Sequence, residues 1–283
     1  MFGRQRRAQR KRAEALEALR RPVDLAEALG SDSRPYPPRP RPRRRRALPA
    51  AISTLALVVV VAVFIALHPS HEANQIRHLL GFGPERILPA PDLPPDTGSY
   101  TFLQMQPNGR GPVGYDPCIQ IEVEVNPSGA PENHRDLVVT ALERTSAATG
   151  LSFTLVGTTD REPDLESKDR SRRPVLVAWA TEDEQPKLSG EVAGFAGSAT
   201  SRSRSGNLYY THGWVVLDID VFDNPSVTQR QLQSIVDHEF GHLVGLGHVD
   251  DANELMHPTN SRETGFGPGD LRGLAELGRV PCE

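Results

Sequence analysis

Hydrophobic and polar residues follow strand-like and helix-like patterns over residues 100–283, and they predict five strands and three helices there. Five segments have strand patterns: CIQIEVEVN (118–126), LSFTLVG (151–157), VLVAW (175–179), EVAGFAGSA (191–199) and GWVVLDID (213–220). The first alternates as a half-buried strand does, and VLVAW is typical of a fully buried strand. Between the last two strands, we interpret TSRSRSGNLYYTH as a mobile loop.

Three further segments have the patterns of helices. ENHRDLVVTALERTSAATG (132–150) carries Leu137, Val138 and Ala141 on one face, and Gly150 marks its end. A second helix begins after Thr228, which forms a capping box with Gln231, and runs to about residue 244. GPGDLRGLAELG (267–278) predicts a third helix.

The uncharged run Ala47–Leu67 predicts a helix that crosses a membrane. It contains no charged side chain, and about 20 apolar residues span the hydrocarbon core. Arg43–Arg46 directly precede it, so the positive-inside rule places the N-terminus in the cytoplasm and the following residues outside. A cleaved signal peptide is the alternative, but the lengths of the basic head and of the apolar run favour a retained anchor.

Charge divides the chain at this run. Residues 1–46 hold fifteen Lys and Arg against five Asp and Glu, whereas the remainder holds seventeen against thirty-one. We expect a disordered, Arg- and Pro-rich cytoplasmic head over 1–46, a juxtamembrane segment and Pro-rich spacer over 68–99, and one extracytoplasmic domain over 100–283. Topology and anionic lipid account for the basic head, so no nucleic-acid partner is expected. The excess of arginine over lysine is typical of GC-rich bacteria.

Cys118 and Cys282 are the two cysteines of the chain, and both lie on the predicted extracytoplasmic side, where disulfides persist. We expect them to pair, with two free thiols as the alternative. A closure of this length stabilises by about 4–5 kcal/mol in the loop-entropy model.

The segment HEFGHLVGLGH (238–248) has the spacing of a catalytic zinc site. His238 and His242 lie one turn apart on the same face of a helix. Gly245 accepts the left-handed conformation that ends a helix, which lets His248 return as the third ligand. Three imidazoles leave a fourth position for water, and Glu239 is suited to take a proton from that water as a general base.

Together with Met256 in ELMHP, this segment resembles the extended zinc signature and Met-turn of the metzincin metalloproteases, and the matrixins most closely. The resemblance implies an α+β, zincin-like catalytic domain with a twisted, mixed five-stranded sheet and three helices, preceded in this chain by the single transmembrane helix. It also implies zinc endopeptidase activity, with Met256 beneath the metal. The cleft residues that it implies are Val192, Ala193, Gly194, Phe195 and Ala196 on the upper rim, and Pro258, Thr259 and Asn260 beyond the scissile bond.

The chain departs from the matrixin pattern at several positions. Gly194 stands where a histidine for a structural zinc is expected, so we predict one catalytic Zn²⁺ and no structural zinc. Val249 and His257 replace the usual serine and tyrosine. Oxygen ligands for calcium are offered by Asp218, Asp220, Asp223 and Asn224, but their spacing fits no EF-hand loop and favours a strand end and turn. The latency switch of matrixins requires a propeptide cysteine, which this sequence lacks.

The sequence therefore predicts a membrane-anchored zinc endopeptidase that acts on proteins or peptides. The alternative is an inactive zinc-binding domain that recognises peptides or cell-surface material, although such a domain needs no general base. A third hypothesis is that the basic head binds a cytoplasmic partner. Asp250 and Asp251 either orient a ligand histidine or belong to a solvated loop. Substrate preference and oligomeric state are not indicated.

Overall fold

A computed structural model describes residues 60, 61, 63, 84–165, 169, 171–259 and 265–283. The predicted cytoplasmic head, most of Ala47–Leu67, residues 68–83 of the predicted juxtamembrane segment and Asn260 lie outside the described residues. Within the described part of the chain, no helix combines the length and the apolar character that a membrane crossing requires.

The elements follow one another in mixed order. They are β1 (Thr101–Phe102), β2 (Ile121–Val125), α1 (His134–Thr149), β3 (Phe153–Thr158), β4 (Val175–Ala180), a 3₁₀ turn (Pro186–Leu188), β5 (Gly194–Arg202), β6 (Leu208–Asp218), α2 (Ile219–Phe222), α3 (Gln229–Val244), β7 (Leu246–Gly247) and α4 (Pro268–Leu277). Within residues 84–283 as described, helices α1, α3 and α4 each have ten or more residues, and they are the three helices predicted from the sequence.

The main sheet has five strands in the order β3-β2-β4-β6-β5. Strands β3, β2, β4 and β6 are parallel, and β5 is antiparallel to β6. The sheet is therefore mixed, and β5 forms one of its edges. A separate two-stranded sheet pairs β1 with β7. The predicted α+β class with a mixed five-stranded sheet is confirmed.

The larger of two hydrophobic clusters lies between the sheet and the helices α1, α3 and α4. Residues of β2 alternate between buried and accessible, as the sequence predicts, and every residue of the central strand β4 is buried. The core contains residues of the strands, such as Val123, Val177, Val215 and Leu217, and residues of the helices, such as Leu137, Val138, Phe240, Leu243 and Leu274. This packing fixes α3 against β5 and β6.

The predicted loop over 200–212 is wrong, because most of it belongs to a long hairpin. Strand β5 continues to Arg202, and β6 begins at Leu208. The run LYYTH is rich in aromatic and β-branched residues, which favour strands, and Tyr210 pairs with Thr200 across the hairpin. Only residues 203–207 remain as the turn.

The Pro-rich segment 84–99 lies along the domain. It contains no helix or strand, as an extended spacer would, but it is hydrogen-bonded to the domain at several points. These bonds are Arg86 Nη1 to Gly278 O, Ile87 N to Pro117 O, Arg279 Nη2 to Pro91 O, Arg272 Nη1 to Pro94 O, and Ser99 N to Glu254 Oε1. We call residues 84–99 the strap.

Candidate metal centre and substrate cleft

Helix α3 carries the first two candidate zinc ligands. It begins with the predicted capping box, in which the side chains and backbone amides of Thr228 and Gln231 exchange hydrogen bonds. It ends at Gly245, whose φ of 123° is favoured by glycine. The chain then reverses through β7 and brings His248 back to the helix.

The Nε2 atoms of three histidines meet at one point. Nε2 of His238 lies 3.1 Å from Nε2 of His242 and 3.1 Å from Nε2 of His248, and the last two atoms are 3.0 Å apart. Among the described residues, these histidines form a group whose ligand atoms are close enough to hold one metal ion. The structure therefore brings the three predicted ligands together.

Backbone carbonyl groups set the orientation of two of these rings. Nδ1 of His238 donates to the carbonyl of Leu255 at 2.6 Å, and Nδ1 of His242 donates to the carbonyl of Leu246 at 2.8 Å. With the proton on Nδ1, Nε2 carries a lone pair that points to the common centre. Neither Asp250 nor Asp251 provides these bonds; Asp251 instead accepts from Asn253 in its own loop.

Loss of contact with water favours the neutral form of the three imidazoles, which is the form that binds metal, although His248 is the most exposed of them. Desolvation lowers the pKa of His238 to about 3, and the nearby His242 adds to this. Desolvation also lowers the pKa of His242 to about 4 and that of His248 below its ordinary value. At neutral pH, three lone pairs therefore face one another without a proton between them.

This arrangement fits a zinc ion. Zinc binds histidine nitrogens at about 2.0–2.1 Å in near-tetrahedral geometry, which places the nitrogens about 3.3 Å from one another. The observed separations of 3.0–3.1 Å are close to this value. A cation at the centre would also remove the repulsion between the lone pairs.

Met256, which the resemblance to metzincins places beneath the metal, packs against helix α3. Its side chain is buried and lies against the backbone of α3 at Gly241, since a Cβ there would be 2.5 Å from the sulfur atom. The carbonyl of Met256 accepts from the amide of Val249 at 3.1 Å. The turn below the histidines is therefore tied to both α3 and the chain that follows His248.

Two buried acidic residues, which have no distinctive motif in the sequence, support the same turn. Asp270 in α4 accepts from the amide of Leu255 at 2.5 Å, and Leu255 in turn holds His238. Glu254 accepts from the amides of Gly269 and Asp270, both at 2.9 Å, at the start of α4. A carboxylate is favourable at the N-terminus of a helix, which was a signal available in the sequence.

Glu239 lies in the cleft with an unsatisfied carboxylate. Its side chain is 5% exposed, and its Oε2 atom has no hydrogen-bond partner in the protein. Burial raises the pKa of Glu239 to about 8, and a cation bound by the neighbouring histidines would oppose this increase. A buried acceptor without a partner is costly, so this oxygen is poised to bind water or substrate.

The cleft that contains these residues has a volume of about 960 Å³. Its lining includes Val192–Ala196, of which Gly194–Ala196 belong to the edge strand β5, and also Pro258 and Thr259. The structure thus places the described residues of the predicted cleft along one depression. Leu103, Gln231, Ser234 and Ile235 also line the cleft, and none of them belongs to the predicted set.

Asp218 and His212 both make hydrogen bonds within the fold. Asp218 caps the one-turn helix α2 by accepting from the amide of Asp220 at 2.8 Å, as expected for a strand end. His212 has no ligand-like spacing in the sequence, which predicts a surface residue. This prediction is wrong, because His212 is 2% exposed and lies 3.1 Å from an Nη atom of Arg173.

Cys118 and Cys282 are joined by a disulfide, with their Cα atoms 5.6 Å apart. The predicted pairing is therefore present, and it links the start of β2 to the end of the domain.

Comparison with known proteins agrees with the geometry of the histidines and Met256. The sequence model of the matrixin family matches residues 120–277. This chain belongs to the matrixin family. Matrixins are zinc metalloproteases of the metzincin group, so the family assignment and the three-histidine site imply the same metal.

A curated relative gives a shorter match. Metalloendoproteinase 1 of Glycine max is 34% identical over 61 residues, which cover 20% of this chain and 20% of that protein. The match thus spans about a fifth of the relative's length. It supports a metalloprotease assignment at the level of the family.

Proposed function

We propose that this matrixin is a zinc-dependent endopeptidase in which His238, His242 and His248 bind the metal and Glu239 is the general base. One observation carries the proposal: the three Nε2 atoms converge within 3.0–3.1 Å of one another, beside a buried carboxylate that has an unpartnered oxygen. Zinc bound there supplies Lewis acidity, which lowers the pKa of water and polarises a carbonyl group.

Glu239 transfers the proton in the proposed reaction. As a carboxylate, it accepts a proton from the attacking water and then donates it to the leaving amine. Its burial at the back of the cleft, behind Gly194, limits its contact with bulk water and fixes its position. The carbonyl groups of Leu255 and Leu246 hold two ligand rings in the orientation that exposes Nε2 to the centre.

The edge strand β5 supports binding of an extended substrate. It pairs with β6 on one side only, so its outer backbone groups are available to a peptide in the cleft. Main-chain hydrogen bonds to such an edge give affinity with little dependence on sequence. We assign Pro258 and Thr259, which line the same cleft, to its other side.

The test compares two variants of the full-length chain. Glu239→Ala should keep about one zinc per chain and lose casein hydrolysis by about 10²–10⁴-fold, because it removes the general base but no ligand. His242→Ala should lose zinc and activity together. Glu143→Ala, an exposed carboxylate on α1, is the matched control and should behave as wild type.

Metal content by plasma emission and cleavage by gel decide the outcome. A wild-type protein that binds one zinc but cuts no peptide or protein would contradict the proposal. In that case, if Glu239→Ala binds peptides or cell-surface material as well as wild type does, the result would favour an inactive zinc-binding domain.

For the N-terminal region, we propose that Ala47–Leu67 anchors the protein in a membrane, with the head in the cytoplasm and the metalloprotease domain outside. The step in charge at Arg43–Arg46 and the disulfide support this topology. Protease added to spheroplasts should digest the domain and spare a tag on the head, and lysis should expose both. Protection of the domain in intact spheroplasts would overturn the topology.

A further inference from the structure

Leu103 is a large apolar side chain that stands on the rim of the cleft with 52% of its surface exposed. A single exposed leucine is ordinary on a protein surface. The position of this one is not ordinary, because it lines the same cleft as His242, His248 and Glu239.

The backbone of Leu103 is fixed next to the third histidine. Its amide donates to the carbonyl of Gly245 at 2.8 Å, and β1, directly before it, pairs with β7. Thr101 also donates from Oγ1 to the carbonyl of His248 at 3.0 Å. The segment that carries Leu103 therefore follows the chain between the second and third candidate ligands.

The other end of this segment is fixed to the β5–β6 hairpin. Gln106 donates from Nε2 to the carbonyl of Leu208 at 2.7 Å and accepts from the amide of the same residue at 2.8 Å. The amide of Val113 donates to the carbonyl of Gln104 at 2.9 Å. Backbone bonds on both sides thus hold Leu103, while its own side chain stays accessible, as a rigid contact for a ligand requires.

Leu103 and Ala196 give the cleft an apolar surface toward His248. The lining toward the start of α3 instead mixes the polar side chains of Gln231 and Ser234 with the apolar Val227 and Ile235. At 1.5 Å per residue, the helix from Gln231 to His242 covers about 16 Å, which is the length of about five residues of extended peptide. A peptide cut beside Glu239 therefore reaches Leu103 within a few residues.

We propose that Leu103 is a specificity-determining residue that contacts a large apolar side chain of the substrate on the His248 side of the scissile bond. This rests on the proposed endopeptidase function. Contact with Leu103 removes apolar surface of both partners from water. One such contact distinguishes apolar from polar substrate residues by about tenfold or more in kcat/KM.

The experiment uses the zinc-loaded, full-length chain and a peptide library with known termini. Wild type should cut preferentially at sites with Leu, Ile, Phe or Met at one position on that side. For a peptide pair that differs only in Leu or Ser there, Leu103→Ala should lower the kcat/KM ratio about tenfold. Met105→Ala is the matched control: Met105 is 46% exposed and does not line the cleft, so this variant should keep the wild-type ratio.

A second variant tests for a new substrate preference, which a misfolded protein could not produce. Leu103→Glu should exchange the apolar preference for Lys or Arg at the same position. The proposal is overturned if both variants keep the wild-type cleavage profile. If wild type itself yields no product, the endopeptidase function fails and this inference fails with it, whereas product with an unchanged profile rejects only the role of Leu103.

Discussion

At the scale of single residues, Gly194 is important because it has no side chain. A Cβ atom there would lie 3.1 Å from Cγ of Glu239 and 3.1 Å from Cδ2 of Leu217. From the sequence, Gly194 is only a departure from an expected histidine. The structure gives it a role of its own, since glycine allows Glu239 to lie directly behind the edge strand.

Gly194→Ala should therefore reduce catalysis without releasing the metal. The added methyl group displaces Glu239 by a few tenths of an ångström, and small displacements of a catalytic group lower rates. We expect kcat/KM to fall about tenfold while zinc content stays unchanged. Gly265→Ala, whose Cβ meets nothing within 4 Å, should match wild type. Equal kcat/KM for both variants would argue against a steric role of Gly194.

Site residues can be predicted from the sequence where their spacing along the chain brings them together. His238, His242 and His248 are brought together as their spacing predicts, because a helical turn and a glycine-dependent reversal are local properties. Leu103 has no local pattern of this kind. It reaches the cleft through its pairing with the chain near Gly245, a contact across more than a hundred residues that composition does not encode.

At the scale of elements, the turn at Met256 and helix α4 are joined by two buried carboxyl groups. Asp270 holds the amides of Leu255 and Gly267, and Glu254 holds the start of α4. Burial raises the pKa of Asp270 to about 7, and the nearby Glu254 adds to this, although the backbone donors favour the charged form. The junction between these elements is thus sensitive to pH.

The sign of this effect follows from the two states. An unfolded Asp releases its proton near pH 3.9, but folded Asp270 holds its proton to about pH 7. The free energy of unfolding therefore falls as the pH rises from about 3.9 to about 7, and this contribution stays constant at higher pH. The loss is about 2–4 kcal/mol. Asp270→Asn keeps an acceptor oxygen and cannot ionise. The free energy of unfolding of this variant minus that of wild type should therefore increase as the pH is raised from 4.5 to 7.5.

Urea unfolding of both proteins in EDTA measures this difference, because the chelator removes zinc binding from the comparison. Parallel pH profiles for wild type and Asp270→Asn would show that Asp270 does not titrate in this range.

Elements were predicted best where the periodic pattern was long. Helices α1 and α3 follow their apolar faces and caps, and β2 follows its alternation. Strand β6 was predicted too short because the basic run SRSRSG obscured the strand signal of LYYTH. That stretch is strand because it pairs with β5, a partner that the local pattern does not specify.

At the scale of the whole molecule, the strap and the disulfide hold the periphery of the domain. The strap was predicted as a spacer because its prolines favour extended chain. Its contacts with Gly278, Pro117 and Glu254 are made by residues far away in the sequence. The disulfide was predictable, since the chain has two cysteines and both belong to the same domain.

Replacing both cysteines, as Cys118→Ser with Cys282→Ser, should lower the free energy of unfolding by about 5 kcal/mol in the loop-entropy model, because the bridge closes a very long loop. Zinc content should stay near one per chain, since neither cysteine belongs to the histidine group. Thermal unfolding of the variant should match that of reduced wild type. An unchanged Tm would contradict a stabilising role for the bridge.

The same bridge has a consequence for a protease exposed to its own activity. It joins positions 164 residues apart, so nearly every peptide bond of the domain lies between its ends. A single cut at any of these bonds leaves two chains that remain one covalent molecule. Nicked and intact protein would have the same mass apart from one added water, and they would separate on a gel only after reduction.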